Sequence, residues 1–289
     1  MPASSDVLRL LVQCPDRPGI VAAVSQFLFQ HGANIMQADQ FSTADDGDGR
    51  FYLRVEFQVE GLDASREELD RRFVADVAER FEMDWRLSGD RRKRVALLAS
   101  RTDHCLMDLL WRWRRRELEM DIPLVISNHD TLRADVEAFG IPYHHLPVES
   151  GRREEQEQAI RSLLDQHDVD LVVLARYMQI LSGEFIGEYP DRIINIHHSF
   201  LPAFAGADPY GRAFERGVKI IGATAHYATE DLDEGPIIEQ DVERVTHRDS
   251  RAEMVRVGRE VERSVLARAV QWHLEDRIFV HGNRTVVFR

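Results

Sequence analysis

The sequence predicts an α/β protein in two parts: a small ferredoxin-like βαββαβ unit, then a Rossmann-like domain with a mostly parallel sheet. Three observations carry that prediction. Up to Leu87 the chain alternates β-forming runs and helical periodicities in the order strand, helix, strand, strand, helix, strand. From Val95 onward strands alternate with helices, the pattern of a parallel sheet covered on both faces. Between them, Gly89-Asp90-Arg91-Arg92-Lys93-Arg94 is polar and reads as a solvated linker. The expected divisions are therefore 1–88, 89–94 and 95–289, and 289 residues are comfortable for two cores.

The first strand is the apolar run Leu8 to Val12. The cluster Cys14-Pro15-Asp16-Arg17-Pro18-Gly19 turns the chain into a helix, with Asp16 placed to cap it and Pro18 in its first turn. Ile20, Val21, Val24, Phe27 and Leu28 recur at helical spacing until Gly32 ends the helix. Asn34 to Ser42 and Phe51 to Val59 alternate like strands around the loop Asp45 to Gly49. Ser65 to Phe81 is amphipathic, and Met83 to Leu87 closes the unit.

In the second part the expected strands are Val95 to Ala99, Leu124 to Ser127 after Pro123, Leu171 to Leu174, Arg192 to His197, Ile220 to Tyr227 and Ile237 to Val242. The expected helices are Asp103 to Arg116, Thr131 to Phe139, Glu154 to Gln166 and a long one from Ser250 to His273. A hairpin at Gly282-Asn283 ends the chain.

Composition narrows the function. A net charge of −13 argues against nucleic acid, whose phosphates need basic patches. It also leaves any anionic small ligand to local arginines, since only Lys93 and Lys219 are lysines. No run approaches the roughly 18 apolar residues of a membrane span, and Met1 to Asp6 lacks a secretory pattern. Cys14 and Cys105 cannot build a disulfide framework and are expected to line cores. A cytoplasmic protein is the expectation.

The chemistry-bearing stretch is Ile194-Asn195-Ile196-His197-His198-Ser199-Phe200-Leu201-Pro202. Alternate strand residues share a face, so Asn195 and His197 project together at a strand's carboxyl end, where open α/β sheets bind ligands. A carboxamide that can hold an oxyanion beside an imidazole that can donate a proton suits attack on a carbonyl. Two satisfied loop residues would look the same. The second stretch runs from Gly222 through His226 and Tyr227 to Asp231-Leu232-Asp233-Glu234-Gly235-Pro236, which alone would pass for a solvated turn. A metal reading of His197, His198, His226 and Asp233 has no Cys pair or His-x3-His spacing behind it, so no metal is expected.

Asn-x-His, the downstream His and the Leu-Asp-x-Gly-Pro turn together resemble the folate-dependent formyltransferase fold. The longer strings Asp103 to Trp113, Val125 to His129, Ala175 to Leu181 and Ile194 to Phe204 resemble one branch more closely, the formyltetrahydrofolate deformylases. The βαββαβ unit, with Pro15-Asp16-Arg17-Pro18-Gly19-Ile20, resembles an ACT domain. The resemblance implies hydrolysis of 10-formyltetrahydrofolate to formate and tetrahydrofolate, with folate as substrate and no resident cofactor. It implies that Asn195 stabilises the tetrahedral oxyanion and that His197 polarises the carbonyl as an imidazolium near a carboxylate. Asp233 would orient or deprotonate water and pass a proton toward N10.

Arg176, Met178, Gln179, Ile180, Leu181, His226 and Thr229 would bind the folate, although Met178 and Leu181 also suit core packing. Asp16, Gly19 and Asn34 would hold a small amino acid, glycine or methionine, in a homo-oligomer; equally, Asp16 and Gly19 could only shape the helix start. Ribonucleotide formyltransferases carry a Gly-rich phosphate loop after the first strand of this fold. Ser100-Arg101-Thr102-Asp103-His104-Cys105 has no glycine, which favours water as the acceptor. Ala205, Asp208 and Gly211 depart from the deformylase pattern and are expected to weaken contacts to the folate tail. Two other readings stay open: a formyltransferase with an amine acceptor, and an amino-acid-responsive regulatory protein that only binds folate.

Overall fold

A computed structural model describes residues 7–43, 49–89, 91–149, 151–203 and 208–289. The chain divides into two compact units, Met1–Arg92 with Phe288–Arg289, and Lys93–Val287. The first unit runs β1 (Val7–Pro15), α1 (Ile20–Gln30), β2 (Asn34–Ser42), β3 (Arg50–Gln58), α2 (Arg66–Phe73), a π-helical turn (Val74–Ala78), α3 (Glu79–Phe81) and β4 (Asp84–Ser88). Its sheet has the order β2-β3-β1-β4 and is antiparallel throughout. Leu8, Leu10, Val12 and Cys14 share one face of β1 and meet Val24, Phe27 and Leu28 of α1 and Leu69 and Phe73 of α2. A period of two on the strand is thus matched to a period of 3.6 on the helices, as the ferredoxin-like reading requires.

The entry to α1 differs from expectation. Its cap position is Gly19, in the left-handed region at φ 97°, with no side-chain cap. Asp16 therefore lies too far back to reach the first helical N–H groups, and it accepts a hydrogen bond from Ser42 Oγ instead. Pro18 sits in the turn before the helix. The other helix of the unit starts as expected, with the Ser65 hydroxyl accepting from the Glu68 N–H.

The second unit is built on a seven-stranded sheet of order β11-β10-β9-β8-β5-β6-β7. Its elements are β5 (Lys93–Ala99), α4 (His104–Arg114), β6 (Met120–Ser127), α5 (Arg133–Glu137), β7 (Tyr143–His145), α6 (Arg153–Gln166), β8 (Leu171–Leu174), α7 (Gly183–Gly187) and β9 (Ile193–His197). They continue with α8 (Pro209–Arg216), β10 (Ile220–Tyr227), β11 (Ile237–Arg244), α9 (Arg251–Leu274) and the hairpin β12 (Ile278–His281) and β13 (Arg284–Val287). β9, β8, β5, β6 and β7 are parallel; β10 runs antiparallel to both of its neighbours. Alternation along β5 divides the core. Val95, Leu97 and Ala99 face α4 and α9, while Ala96 and Leu98 face the layer that contains α6.

Three local findings correct the sequence-based expectations. β5 starts at Lys93, which shortens the linker. Lys93 is not solvated: its ammonium donates to the carbonyl of His273 at 2.7 Å and to Asp276 at 2.6 Å, where a cation complements the carboxyl end of α9. β6 begins before Pro123, because a register shift between Arg94 and Ala96 absorbs a residue that cannot donate to the ladder. The short β7, α7 and α8 fall in stretches with too little periodicity to signal them. The long helix α9 carries a full capping box between Ser250 and Glu253. Among the described residues, no helix is long and apolar enough to cross a membrane.

Candidate active site

β9 and β10 lie side by side with Asn195 opposite His226 and His197 opposite Thr224. The antiparallel pairing puts three polar side chains of one face at the carboxyl end of β9. Asn195 Nδ2 lies 3.2 Å from His226 Nε2, and His226 Nδ1 lies 2.9 Å from the Tyr227 carbonyl oxygen. A carbonyl only accepts, so Nδ1 of His226 carries the proton and Nε2 accepts from the Asn195 amide. Burial, first, lowers the His226 pKa below the usual histidine range, so the ring is neutral and this tautomer is kept.

Asp233 reaches the pair from the turn after β10. It sits in the left-handed region at φ 61°, a conformation Asp tolerates better than most residues. The turn is clamped from several sides. Tyr227 N–H donates to the Pro236 carbonyl at 3.0 Å, and Asn283 Nδ2, from the β12–β13 hairpin, donates to the Glu234 carbonyl at 2.9 Å. At Gly235 any Cβ would lie 1.8 Å from the Tyr227 carbonyl oxygen, so only glycine lets the turn close. The result is His197 Nδ1 at 3.1 Å and His226 Nε2 at 3.9 Å from Asp233 Oδ1. Burial pushes the Asp233 carboxyl up, but the His197 hydrogen bond and the neighbouring imidazoles outweigh it and hold the pKa below the usual value. His197 is buried, and its Nε2 has no hydrogen-bond partner within the protein.

These groups open onto a cavity of about 300 Å³ lined by Arg176, Met178 to Leu181, Asn195, His197, His198, His226, Thr229 and Asp233, among others. All ten residues expected to form the catalytic and folate-binding set therefore fall on one cavity. Met178 and Ile180 are 55% and 60% exposed, which removes the core-packing reading for Met178 and leaves apolar surface beside the polar corner. Leu181 is buried and packs in the core layer as well as lining the cavity. The Met178 N–H is held by Ser100 Oγ at 2.9 Å, and that hydroxyl donates to Asn128 Oδ1 at 2.7 Å.

Asp16, Gly19 and Asn34 belong to the other unit. Asn34 Nδ2 donates to Gln58 Oε1 at 2.8 Å, so these three residues are hydrogen-bonded or conformational parts of the unit as it stands. Ala205 lies outside the described residues. Asp208 and Gly211 do not line the cavity; they form one structural set. Asp208 caps α8 by accepting from the Gly211 N–H at 3.2 Å and pairs with Arg251 at 2.6 Å. A Cβ at position 211 would lie 2.2 Å from Asp208 Oδ2, so the aspartate and the glycine accompany each other.

Sequence reasoning missed a second polar cluster behind the cavity wall. Glu262 of α9 is 1% exposed and accepts from His104 Nε2 at 2.9 Å and from the Tyr210 hydroxyl at 2.7 Å. Arg176 Nε lies 3.3 Å from the same carboxylate. Burial pushes the Glu262 carboxyl up; His104 and Arg176 outweigh it and the pKa falls below the usual value. His198, on the cavity wall, is driven down to about 3 by burial and by the Arg176 guanidinium. One signal was available: a glutamate in the apolar stripe of a long helix needs a buried partner. The ligand atoms of His104, Cys105 and Glu262 lie within 4.8 Å of one another, but the glutamate already has two hydrogen-bond donors and a guanidinium beside it.

Residues 93–270 match the Formyl transferase family, and residues 8–73 match the ACT domain. The chain is 56% identical to a formyltetrahydrofolate deformylase of Bacillus subtilis (strain 168) over 286 residues, which covers 99% of this chain and 95% of that protein. A crystal structure of a formyltetrahydrofolate deformylase from Pseudomonas syringae pv. tomato superposes with a TM-score of 0.95 at 52% identity, covering 98% of this chain and 94% of that one. The glycinamide ribonucleotide transformylase 1 of Symbiobacterium toebii matches more distantly, with a TM-score of 0.66 at 30% identity over 68% of this chain and 95% of that one. With identity of this order over nearly the whole length, and both units matched in order, the chain belongs to the formyltetrahydrofolate deformylase family.

Proposed function

We infer that the protein hydrolyses 10-formyltetrahydrofolate to formate and tetrahydrofolate at the Asn195–His197–Asp233 corner. The observation that carries this reading is the buried, partnerless Nε2 of His197. A buried polar atom without a partner calls for an explanation, and a substrate carbonyl oxygen supplies one. Asp233 accepts from Nδ1, which orients the ring with Nε2 toward the cavity, and the family resemblance assigns the ring the imidazolium role. Nε2–H and the second N–H of the Asn195 amide then donate to the formyl oxygen as it becomes an oxyanion. Water attacks the formyl carbon, Asp233 takes its proton, and the proton passes to N10 as the C–N bond breaks. Donors of this kind contribute about 10²–10³-fold each.

The exposed Met178 and Ile180, with the Thr229 turn, support seating of the pterin, and no resident cofactor is needed. The Ser100 loop is tied by hydrogen bonds to Asn128 and Met178 and offers no glycine-rich cradle, which supports water as the acceptor. For the first unit we propose a small amino-acid effector, glycine or methionine, held near Asp16, Gly19 and Asn34. Association of copies is supported by β2, an edge strand that leaves Ile35, Met36 and Phe41 exposed. A cytoplasmic setting suits this chemistry.

The test is formate release from 10-formyltetrahydrofolate in amine-free buffer. Release by the protein that disappears in Asp233→Asn supports hydrolysis at this corner. Turnover that requires an added amine would replace it with the transferase reading, and folate binding without turnover would leave a regulatory protein.

A further inference from the structure

Among the described residues, Arg176 is the one lysine or arginine that lines the cavity. It follows β8 in the left-handed region, at φ 65°, a conformation that disfavours arginine. Its side chain is nearly buried against Glu262, the carboxylate that also receives His104 and Tyr210. Glu262 is thus an anion set behind the wall of the reaction cavity and screened from it by a permanent cation.

We propose that Arg176, held by Glu262, determines the acceptor: it reserves the site for water and excludes amines. The proposal rests on the hydrolytic reading given above. Both reactions begin with attack on the formyl carbon and end with cleavage of its bond to N10. With water, the attacking oxygen loses its protons, one of which goes to N10, and the product is the formate anion. With an amine, a C–N bond forms, the amine proton goes to N10, and the product is a neutral formamide. A guanidinium among the cavity-lining groups therefore favours the hydrolytic product, which is an anion, and gives nothing to the neutral one. It also repels the incoming reagent, because simple amines with pKa values of about 8 are largely protonated at neutral pH. An exposed Glu262 would do the opposite. It would draw an ammonium in and could accept its proton; instead it is engaged by two hydrogen-bond donors, His104 and Tyr210, and paired with the Arg176 guanidinium.

The experiment partitions the formyl group. Purified full-length protein is given 10-formyltetrahydrofolate with and without glycinamide, and formate and N-formylglycinamide are both quantified. The wild type should release formate with no formamide above the uncatalysed background. Arg176→Gly suits the left-handed backbone. Its formate release should drop about tenfold, the loss of roughly one favourable charge interaction, and formamide should rise above background. Arg176→Gln, closer in volume, should show the same partition if the glycine variant does not fold, while Arg176→Lys should keep the wild-type partition. In Arg176→Gly/Glu262→Gln the formamide should disappear again, because the carboxylate that attracts the amine is gone. Unchanged partition in both Arg176→Gly and Arg176→Gln, with hydrolysis intact, would overturn the proposal. A wild type that releases no formate would instead fail the hydrolytic reading itself, so the two failures are separable.

Discussion

Asp233 and Glu262 are both carboxylates of the second unit that meet a histidine nitrogen at close range, 3.1 Å from His197 and 2.9 Å from His104. Both are held below the ordinary carboxylate pKa against the opposing effect of burial. Their surroundings separate them. Asp233 sits on a clamped turn at the edge of the cavity, and the histidines around it line that cavity, with Nε2 of His197 free of any protein partner. Glu262 lies inside a helix-packed core, where a tyrosine and a permanently charged arginine complete its shell. The same carboxylate–imidazole pair is therefore poised in one place and spent in the other. What decides is how many donors each oxygen already has, and whether one of them can leave.

The difference predicts opposite phenotypes. Asp233→Asn should lower kcat by about 10²–10⁴-fold, the range for removing a proton-transfer group, while its thermal unfolding stays close to that of the wild type. Formate release and calorimetry on the same preparation check both halves. An Asp233→Asn protein that unfolds early would mean that the Asp233 corner is a structural lock like the other.

Glu262→Ala should behave the other way. Removing one partner of a buried, hydrogen-bonded pair leaves Arg176 and His104 uncompensated, which costs about 3–5 kcal/mol of folding stability by urea titration. The pH dependence sharpens this. A carboxylate with a depressed folded pKa stabilises fully above its unfolded value, about 4.3 for Glu, and that contribution is lost as pH falls through the folded value. The stability gap between wild type and Glu262→Gln should therefore shrink on acidification below about pH 4. A gap that stays constant to low pH would mean that the folded and unfolded pKa values of Glu262 are the same, and a gap that moves in the wild type's favour on acidification would mean that Glu262 is neutral in the folded protein.

Asn195→Ala addresses the cavity side alone. Loss of one oxyanion donor should reduce kcat about 10²–10³-fold, with a smaller change in KM. It should also leave His226 Nε2 without its amide donor, so the acid limb of the pH profile should move along with the rate. A fall confined to KM would make Asn195 a folate contact and nothing more.

How legible each corner was in the sequence follows from how local its pieces are. Asn195 and His197 are two residues apart on one strand, and the Asp233 turn follows the paired strand directly, so a short window and the period of two bring them together. The division into two units was legible for the same reason, because βαββαβ and alternating strands and helices are runs of local periodicity. Glu262 draws on His104, Arg176 and Tyr210 from three other stretches of the chain, and no window contains them. Asp16 was misread because its turn lengthens by one left-handed residue, Gly19. Lys93 was read as solvated because its partners lie 180 residues away. Asp208 and Gly211 looked like losses from a folate site, and in space they are a helix cap with its steric allowance.

The mildest change tests whether the Glu262 corner works as a unit. Gly258 lies one turn before Glu262 on α9, and a Cβ there would sit 2.1 Å from the Tyr210 hydroxyl and 2.2 Å from Cζ. Tyr210 is buried among Ala213, Ile221, Val245 and Met254, so its ring cannot swing away freely. Gly258→Ala gains about 1 kcal/mol of helix propensity and loses about 1–3 kcal/mol to overpacking, together with the Tyr210–Glu262 hydrogen bond of about 1 kcal/mol. The losses outweigh the gain, and the net should be a destabilisation of roughly 1–3 kcal/mol. Because Arg176 and His104 still hold the carboxylate, formate release should stay within about twofold of wild type, less than half a kcal/mol of barrier. Urea titration and formate release read the two quantities separately. A large drop in activity with only a small drop in stability would show that the tyrosine reaches the chemistry through Arg176, and the two carboxylate corners would then be one connected site.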